Sequence, residues 1–73
     1  MKRTYYFPTI NGKPGLYWNG GYMGYADSNH PVRPVRTVRG VKKQIDKANA
    51  FDGEHGISGF AYGYLRIEIT VED

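Results

Sequence analysis

Residues 64–71 read Tyr-Leu-Arg-Ile-Glu-Ile-Thr-Val, and this alternation of apolar and polar residues is typical of a strand with one buried face. An apolar row with helical spacing precedes it, formed by Val38, Val41, Ile45 and Ala48. The two rows predict a helix over 38–49, capped by Thr37, that packs against a strand over 64–71. The strand residues expected in that contact are Leu65, Ile67, Ile69 and Val71.

The first third of the chain predicts strands joined by tight turns. Residues 4–10 are rich in β-forming residues, but Pro8 cannot donate to a ladder, which indicates an edge strand or one interrupted late. Residues 11–15 form a turn cluster. An Asn-Gly-Gly sequence at 19–21 separates two aromatic segments, and this is a strong hairpin signal because both residue types tolerate positive φ.

The predicted element order is therefore β-β-β-α-β, with a surface connector over 26–36 and a loop over 52–59. One helix on a small, largely antiparallel sheet makes an α+β two-layer sandwich. With 73 residues the chain has room for a single domain, 1–73, with a modest core.

The compartment is inferred from what the composition lacks. The chain has no cysteine, which fits a cytoplasmic setting better than a secreted one. No apolar run approaches the length of a membrane span, and the charged start is not followed by the apolar stretch of a signal peptide, so we expect no membrane association.

The charge is distributed unevenly along the chain. The net charge is +3, yet residues 33–47 carry about +5 and residues 52–73 about −4. Within 32–40 a Val-Arg-X triplet occurs three times, and extended geometry near its proline would align the first two arginines. The cations that we expect to bind an anionic partner are Arg33, Arg36, Arg39, Lys42, Lys43 and Lys47. The alternative is a solvated connector followed by an ordinary soluble helix face.

Aromatic residues of the predicted hairpin are a second candidate binding element, formed by Tyr17, Trp18 and Tyr22. Residues 59–65 partly match the aromatic strand of RNA-recognition motifs. However, that fold needs a further helix and strand, and too few residues follow.

No catalytic residue, metal site or cofactor is predicted. The two histidines, His30 and His55, lie in separate predicted loops, and two loose His–carboxylate pairs without cysteine do not make a structural zinc site. There is no nucleophile signature and no phosphate-binding glycine loop. We therefore expect a protein that is not an enzyme.

The chain resembles small uncharacterised phage-encoded proteins in its arrangement of elements. The similarity rests on an aromatic strand, an Asn-Gly-Lys turn, a Tyr/Trp hairpin, a Lys-rich helix and a short final strand, at 5–7, 11–13, 17–18, 42–51 and 65–71. Several proteins of that type block host enzymes or defence complexes. The resemblance implies a phage or mobile-element protein acting in the cytoplasm of a bacterial host.

Two functions remain open from the sequence. The first is a protein that binds and inhibits or modulates a host protein or nucleoprotein complex, using the cations together with exposed aromatic rings. The alternative is a nucleic-acid-binding module without sequence preference. A net charge of +3 is low for a dedicated DNA binder, which favours the first function. A homo-oligomer, with the acidic end of one copy on the basic strip of another, is also open.

Overall fold

A computed structural model describes residues 1–18 and 20–72. Four strands and one helix follow one another in the predicted order. They are β1 (Lys2–Ile10), β2 (Lys13–Tyr17), β3 (Met23–Tyr25), α1 (Val38–Glu54) and β4 (Tyr62–Thr70). The helix packs against one antiparallel sheet of strand order β3-β2-β1-β4, which confirms the α+β class.

The long β1–β4 ribbon gives the molecule its elongated shape of 47 × 26 × 21 Å. These two strands pair along their whole length, from Lys2 opposite Thr70 to Ile10 opposite Tyr62. By contrast, β2 pairs with β1 only at Thr9 and Ile10, so most of the ribbon extends past the other two strands.

The predicted hairpin is formed by β2 and β3, with Tyr17 opposite Met23. The Trp18 N–H donates to the Tyr22 carbonyl at 2.9 Å, and Gly21 takes the positive φ of 93° that closes the turn. Asn19, which contributed to the hairpin prediction, lies outside the described residues, as does the last acidic residue, Asp73.

The position of β1 differs from the prediction, because it is an inner strand and not an edge strand. Pro8 is tolerated because no strand is hydrogen-bonded to β1 at that position on the side away from β4. On that side Tyr6 exchanges two backbone hydrogen bonds of 2.8 Å with Val35 of the connector, and β2 pairs only from Thr9 onward. The missing N–H of Pro8 therefore falls in a gap between two partners.

The helix begins as predicted but ends later. The Thr37 hydroxyl accepts a hydrogen bond of 3.0 Å from the Gly40 N–H, which confirms the N-cap. The helix then continues through Asp52, Gly53 and Glu54, where a loop was predicted. Tertiary contacts explain the extension: the carboxylate of Asp52 accepts a hydrogen bond of 2.5 Å from the hydroxyl of Tyr62 on β4.

The predicted contact between the helix and the apolar row of β4 is wrong. Tyr62 points toward the helix, so Tyr64, Arg66 and Glu68 share its face, and the odd-numbered residues lie on the opposite face. Accordingly Leu65, Ile67 and Ile69 are 50%, 39% and 45% exposed. Alternation identifies two faces of a strand but does not say which of them the helix covers.

The core is small and lies at the end of the ribbon where β2 and β3 join the sheet. Its buried apolar side chains are Ile10, Leu16, Met23, Val41 and Ala48. Ile10, Met23 and Ala48 form one cluster, against which Tyr17 and Tyr62 pack from the sheet. The helix packs mainly against β1 and β4, and Phe51 in its second half meets Tyr22 of the hairpin.

Candidate binding site

A concave surface lies between the tip of the β2–β3 hairpin and the second half of α1. It forms an open pocket of about 280 Å³. We call it the hairpin–helix pocket, and the residues that line it are Tyr17, Gly20, Gly21, Lys47, Ala50, Phe51 and Glu54. Two of the residues singled out from the sequence, Tyr17 and Lys47, therefore meet at one site, although 30 positions of sequence separate them.

A row of five aromatic rings runs beside this pocket. Trp18 stacks on Tyr22 with ring centroids 6.0 Å apart, and Tyr22 meets Phe51 of the helix at 5.5 Å. The row continues from Phe51 to His55 at 4.0 Å, and at its other end from Trp18 to His30 at 5.5 Å. The rings join the hairpin, the connector and the helix, so they form a preorganised apolar surface that loses little side-chain freedom on binding.

The helix adds a row of cations to the same region. Arg39, Lys43 and Lys47 are exposed and recur every four residues, so they lie in one line along the outer face of α1. Lys47 is the member that reaches the pocket. None of these three forms an ion pair within residues 1–18 and 20–72.

This placement of charge does not serve the stability of the helix. A helix dipole favours acidic residues in the first turn and basic residues in the last, yet α1 has neither. Instead Arg39 lies in the first turn and Glu54 in the last. The charges of α1 therefore do not stabilise it through its dipole.

The remaining predicted cations do not join this site. Arg36 extends over the ring of Tyr5, with its guanidinium carbon 5.4 Å from the ring centroid. Tyr6 pairs with Val35, and Val35 lies against Gly40 of the helix, so the side chain of Tyr6 is on the helix side of the sheet. Tyr5 is its neighbour in the strand and points to the opposite face, so Arg36 also lies on the side of the sheet away from the helix. Arg33 is exposed on the connector, and Lys42 lies on a different line of the helix surface. The predicted strip of six cations is therefore divided by the sheet.

Five pocket residues were missed by sequence reasoning. Ala50, Phe51 and Glu54 fall where the helix was predicted to end or to have ended, and Gly20 and Gly21 were seen only as turn residues. A signal for Phe51 was present, because it lies three residues after Ala48 and continues the apolar side of the helix.

Both histidines have local structural contacts. Asp27 accepts hydrogen bonds from the N–H groups of Asn29 and His30 at 2.9 and 2.7 Å, and the bond from His30 contributes most to lowering the pKa of the Asp27 carboxyl. His55 caps the helix, with its Nδ1 2.9 Å from the Phe51 carbonyl. These contacts order the loops at the two ends of the aromatic row.

Over the described ranges, 1–18 and 20–72, no group of three or more His, Cys, Asp or Glu side chains is arranged to hold a metal ion. In the same part of the chain no helix has the length and apolar character needed to cross a membrane. Comparisons with protein-family models, with curated proteins and with solved structures found no match to this chain.

Proposed function

We propose that this protein is a small non-enzymatic binding protein that recognises an acidic segment of a protein partner at the hairpin–helix pocket. The observation that carries the proposal is the position of Lys47, which lines the pocket beside the aromatic surface of Tyr17 and Phe51. An ammonium group next to aromatic rings suits a partner side chain that combines an apolar body with a carboxylate.

The dimensions of the pocket favour a side chain over a free small molecule. Its volume of about 280 Å³ lies just below the range of roughly 300–1,000 Å³ that small-molecule sites occupy. A shallow, open site of this kind accepts one anchoring side chain. The row from Arg39 to Lys43 then provides charges for the residues that flank the anchor.

The proposed partner is a host protein or nucleoprotein complex in the cytoplasm of a bacterial host, which the bound protein inhibits or modulates. The support for this setting is the resemblance in element order to small phage-encoded proteins. The support for binding through the hairpin is its exposed ring, since Tyr22 is 41% exposed within the aromatic row.

The alternative partner, nucleic acid, would use the same cations. The row Arg39, Lys43 and Lys47 offers three phosphate contacts, and Glu54 in the pocket would repel a phosphate as it would a partner carboxylate, so Glu54 does not decide between the two partners. Binding to a protein and binding to nucleic acid therefore predict different effects of salt concentration and of nuclease treatment on the amount of partner that is bound.

The test is capture of a partner from nuclease-treated bacterial lysate by the immobilised protein. We expect Lys43→Gln/Lys47→Gln to lose the captured protein, whereas the control Lys2→Gln/Lys13→Gln retains it. Both variants lose two exposed cations, but the control pair lies on β1 and β2, away from the pocket.

Labelled oligonucleotides provide the second arm of the test. For a protein-binding site we expect negligible affinity for duplex or single strands at physiological salt. Tight binding with a logarithmic salt slope of about −3, as for three or four phosphate contacts, would replace the proposal by the nucleic-acid alternative. Equal capture of protein by both double variants would also contradict it.

A further inference from the structure

The outer edge of β4 is an unpaired strand edge. β4 pairs with β1 on one side over all nine of its residues, and it is the last strand of the sheet on the other side. Within the described chain no backbone hydrogen bond joins that outer side to another segment. An exposed edge of this length is a template for pairing with another strand.

The backbone groups on this edge belong to the even-numbered residues of β4. Met1 and Val71 bond to each other in both directions, with Val71 N–H to Met1 O at 2.7 Å and the Met1 amino group to Val71 O at 3.2 Å. Tyr6 of β1, an even-numbered residue, bonds away from β4 to Val35. Since this direction alternates along an antiparallel pair, the outward N–H and C=O groups are those of Tyr64, Arg66, Glu68 and Thr70.

We propose that a second copy of this chain pairs with this edge, antiparallel, about a twofold axis at Ile67. In this register Arg66 of each copy lies opposite Glu68 of the other, so two pairs of opposite charges face each other across the axis. Within one chain these two side chains form an ion pair of 2.7 Å, so both lie on the same face of β4.

The sequence of β4 selects this register over its neighbours. An axis at position 66 would place two arginines opposite each other, and an axis at position 68 would place two glutamates opposite each other. An axis between two residues would pair even-numbered with odd-numbered positions of β4. The outward backbone groups of one copy would then meet inward groups of the other, and the polar face of one copy would adjoin the apolar face of the other. Compared with the axes at 66 and 68, the axis at Ile67 keeps the backbone groups and the faces matched and places opposite charges across the pairing.

The resulting dimer would have one continuous sheet with both helices on the same side. About eight backbone hydrogen bonds would join the two copies of β4, four from each strand's outward residues. On the open face Leu65 would lie beside Ile69 of the second copy, and the two Ile67 side chains would meet at the axis. The pairing thus covers part of the exposed apolar row with an identical row.

Cysteine substitution tests the register directly, because the chain has no cysteine and a single new one can form only an intermolecular disulfide. The two copies of residue 67 would have Cα atoms about 4.5 Å apart, within the roughly 4.4–6.8 Å range of disulfides. We expect Ile67→Cys to oxidise to a disulfide dimer at least about tenfold faster than the controls Leu65→Cys and Ile69→Cys.

The controls are matched because they lie on the same face of the same strand and are more exposed, at 50% and 45% against 39%. In the proposed register two copies of residue 65 are offset by four positions, about 13 Å, which is too far for a disulfide. Equal oxidation rates at 65, 67 and 69 would overturn the proposal.

The second test exchanges the charges of Arg66 and Glu68 and measures the mass of the protein in solution. The measurement is sedimentation equilibrium at protein concentrations up to the millimolar range. We expect the unmodified chain to reach twice its 8.3 kDa mass, and Arg66→Glu or Glu68→Arg alone to remain monomeric. A one-to-one mixture of these two variants should recover the dimer, and Lys42→Glu on the helix should dimerise normally. A monomeric unmodified chain, or unaffected single variants, would contradict the proposal. The outcome is independent of the hairpin–helix pocket, since β3 and β4 are opposite edges of the sheet.

Discussion

Two glycines of α1 have opposite roles, although both occupy helical positions. A Cβ atom on Gly40 would lie 2.8 Å from Val35 Cγ1, so the first turn of the helix approaches the connector too closely for a side chain. Gly53 has no such neighbour within 4 Å, and it costs helix stability without a packing reason.

We expect Gly40→Ala to destabilise the fold by about 1–3 kcal/mol through overpacking, despite the better helix propensity of alanine. Gly53→Ala should stabilise it by about 0.5–1 kcal/mol, since nothing opposes the propensity gain. Urea unfolding of both variants measures the difference. Stabilisation by both substitutions would show that the helix and Val35 are not in close contact.

Tyr62 predicts a specific dependence of stability on pH. Burial, together with the hydrogen bond to the Asp52 carboxylate, raises the pKa of Tyr62 to about 12 from its ordinary value of 10.0. Folding therefore favours the neutral phenol. Its contribution to stability is complete below about pH 10 and is lost as the pH rises from about 10 to about 12.

Comparison with Tyr62→Phe isolates this contribution from the other groups that titrate in the same range. We expect the free energy of unfolding to fall more steeply between about pH 10 and about pH 12 in the unmodified protein than in Tyr62→Phe, because the variant has no phenol to ionise. Asp52→Asn, which keeps an acceptor but removes the charge, should lie between them. Identical slopes for all three would show that the phenol is not held by the helix.

At the scale of elements, β4 contributes less to the core than its sequence indicates. Ile10 on β1 is 1% exposed and packs in the cluster with Ala48, whereas Ile67 on β4 is 39% exposed on the open face of the sheet. The same substitution at these two positions therefore separates the helix-covered face of the sheet from the open face.

We expect Ile10→Ala to cost about 2–5 kcal/mol, the usual range for a buried isoleucine. Ile67→Ala should cost about 1 kcal/mol, since much of its side chain is already in water. Thermal or urea unfolding compares the two. A larger cost at Ile67 than at Ile10 would place the helix on the other face of the sheet.

The parts of the fold that depend on local sequence were predictable. Thr37 and the apolar spacing after it located the start of the helix, and the alternation in 64–71 located the last strand. The parts that depend on distant contacts were not. The helix continues past its predicted end because Phe51 and Asp52 find partners on the hairpin and on β4. The face of β4 that the helix covers likewise follows from Tyr62, which local periodicity does not reveal.

The same distinction applies to the candidate site. Tyr17 and Lys47 were recognised from residue type and local charge, and the structure places both at the hairpin–helix pocket. Their proximity depends on how the hairpin packs against the helix. Arg36 was grouped with Lys47 because both are near in sequence, but the pairing of Val35 with Tyr6 directs Arg36 to the far side of the sheet.

At the scale of the whole molecule, three surfaces lie apart from one another. The hairpin–helix pocket is at the β3 edge with its row of cations, the free strand edge belongs to β4, and the open sheet face carries the apolar row and Arg36. A partner held at the pocket therefore leaves the β4 edge free, and the proposed dimer can present two pockets at once. Two linked sites would raise the apparent affinity for a partner with repeated binding segments.

Calorimetric titration of the captured partner with Lys47→Gln and Arg36→Gln tests most directly which surface binds. Each variant loses one exposed cation, but Lys47 lines the pocket and Arg36 lies over Tyr5 on the opposite side of the sheet. We expect Lys47→Gln to weaken the affinity at least about tenfold, equivalent to about 1.4 kcal/mol, and Arg36→Gln to leave it within about twofold. Loss of affinity in Arg36→Gln with normal binding by Lys47→Gln would contradict binding at the pocket and would move the site to the open face of the sheet.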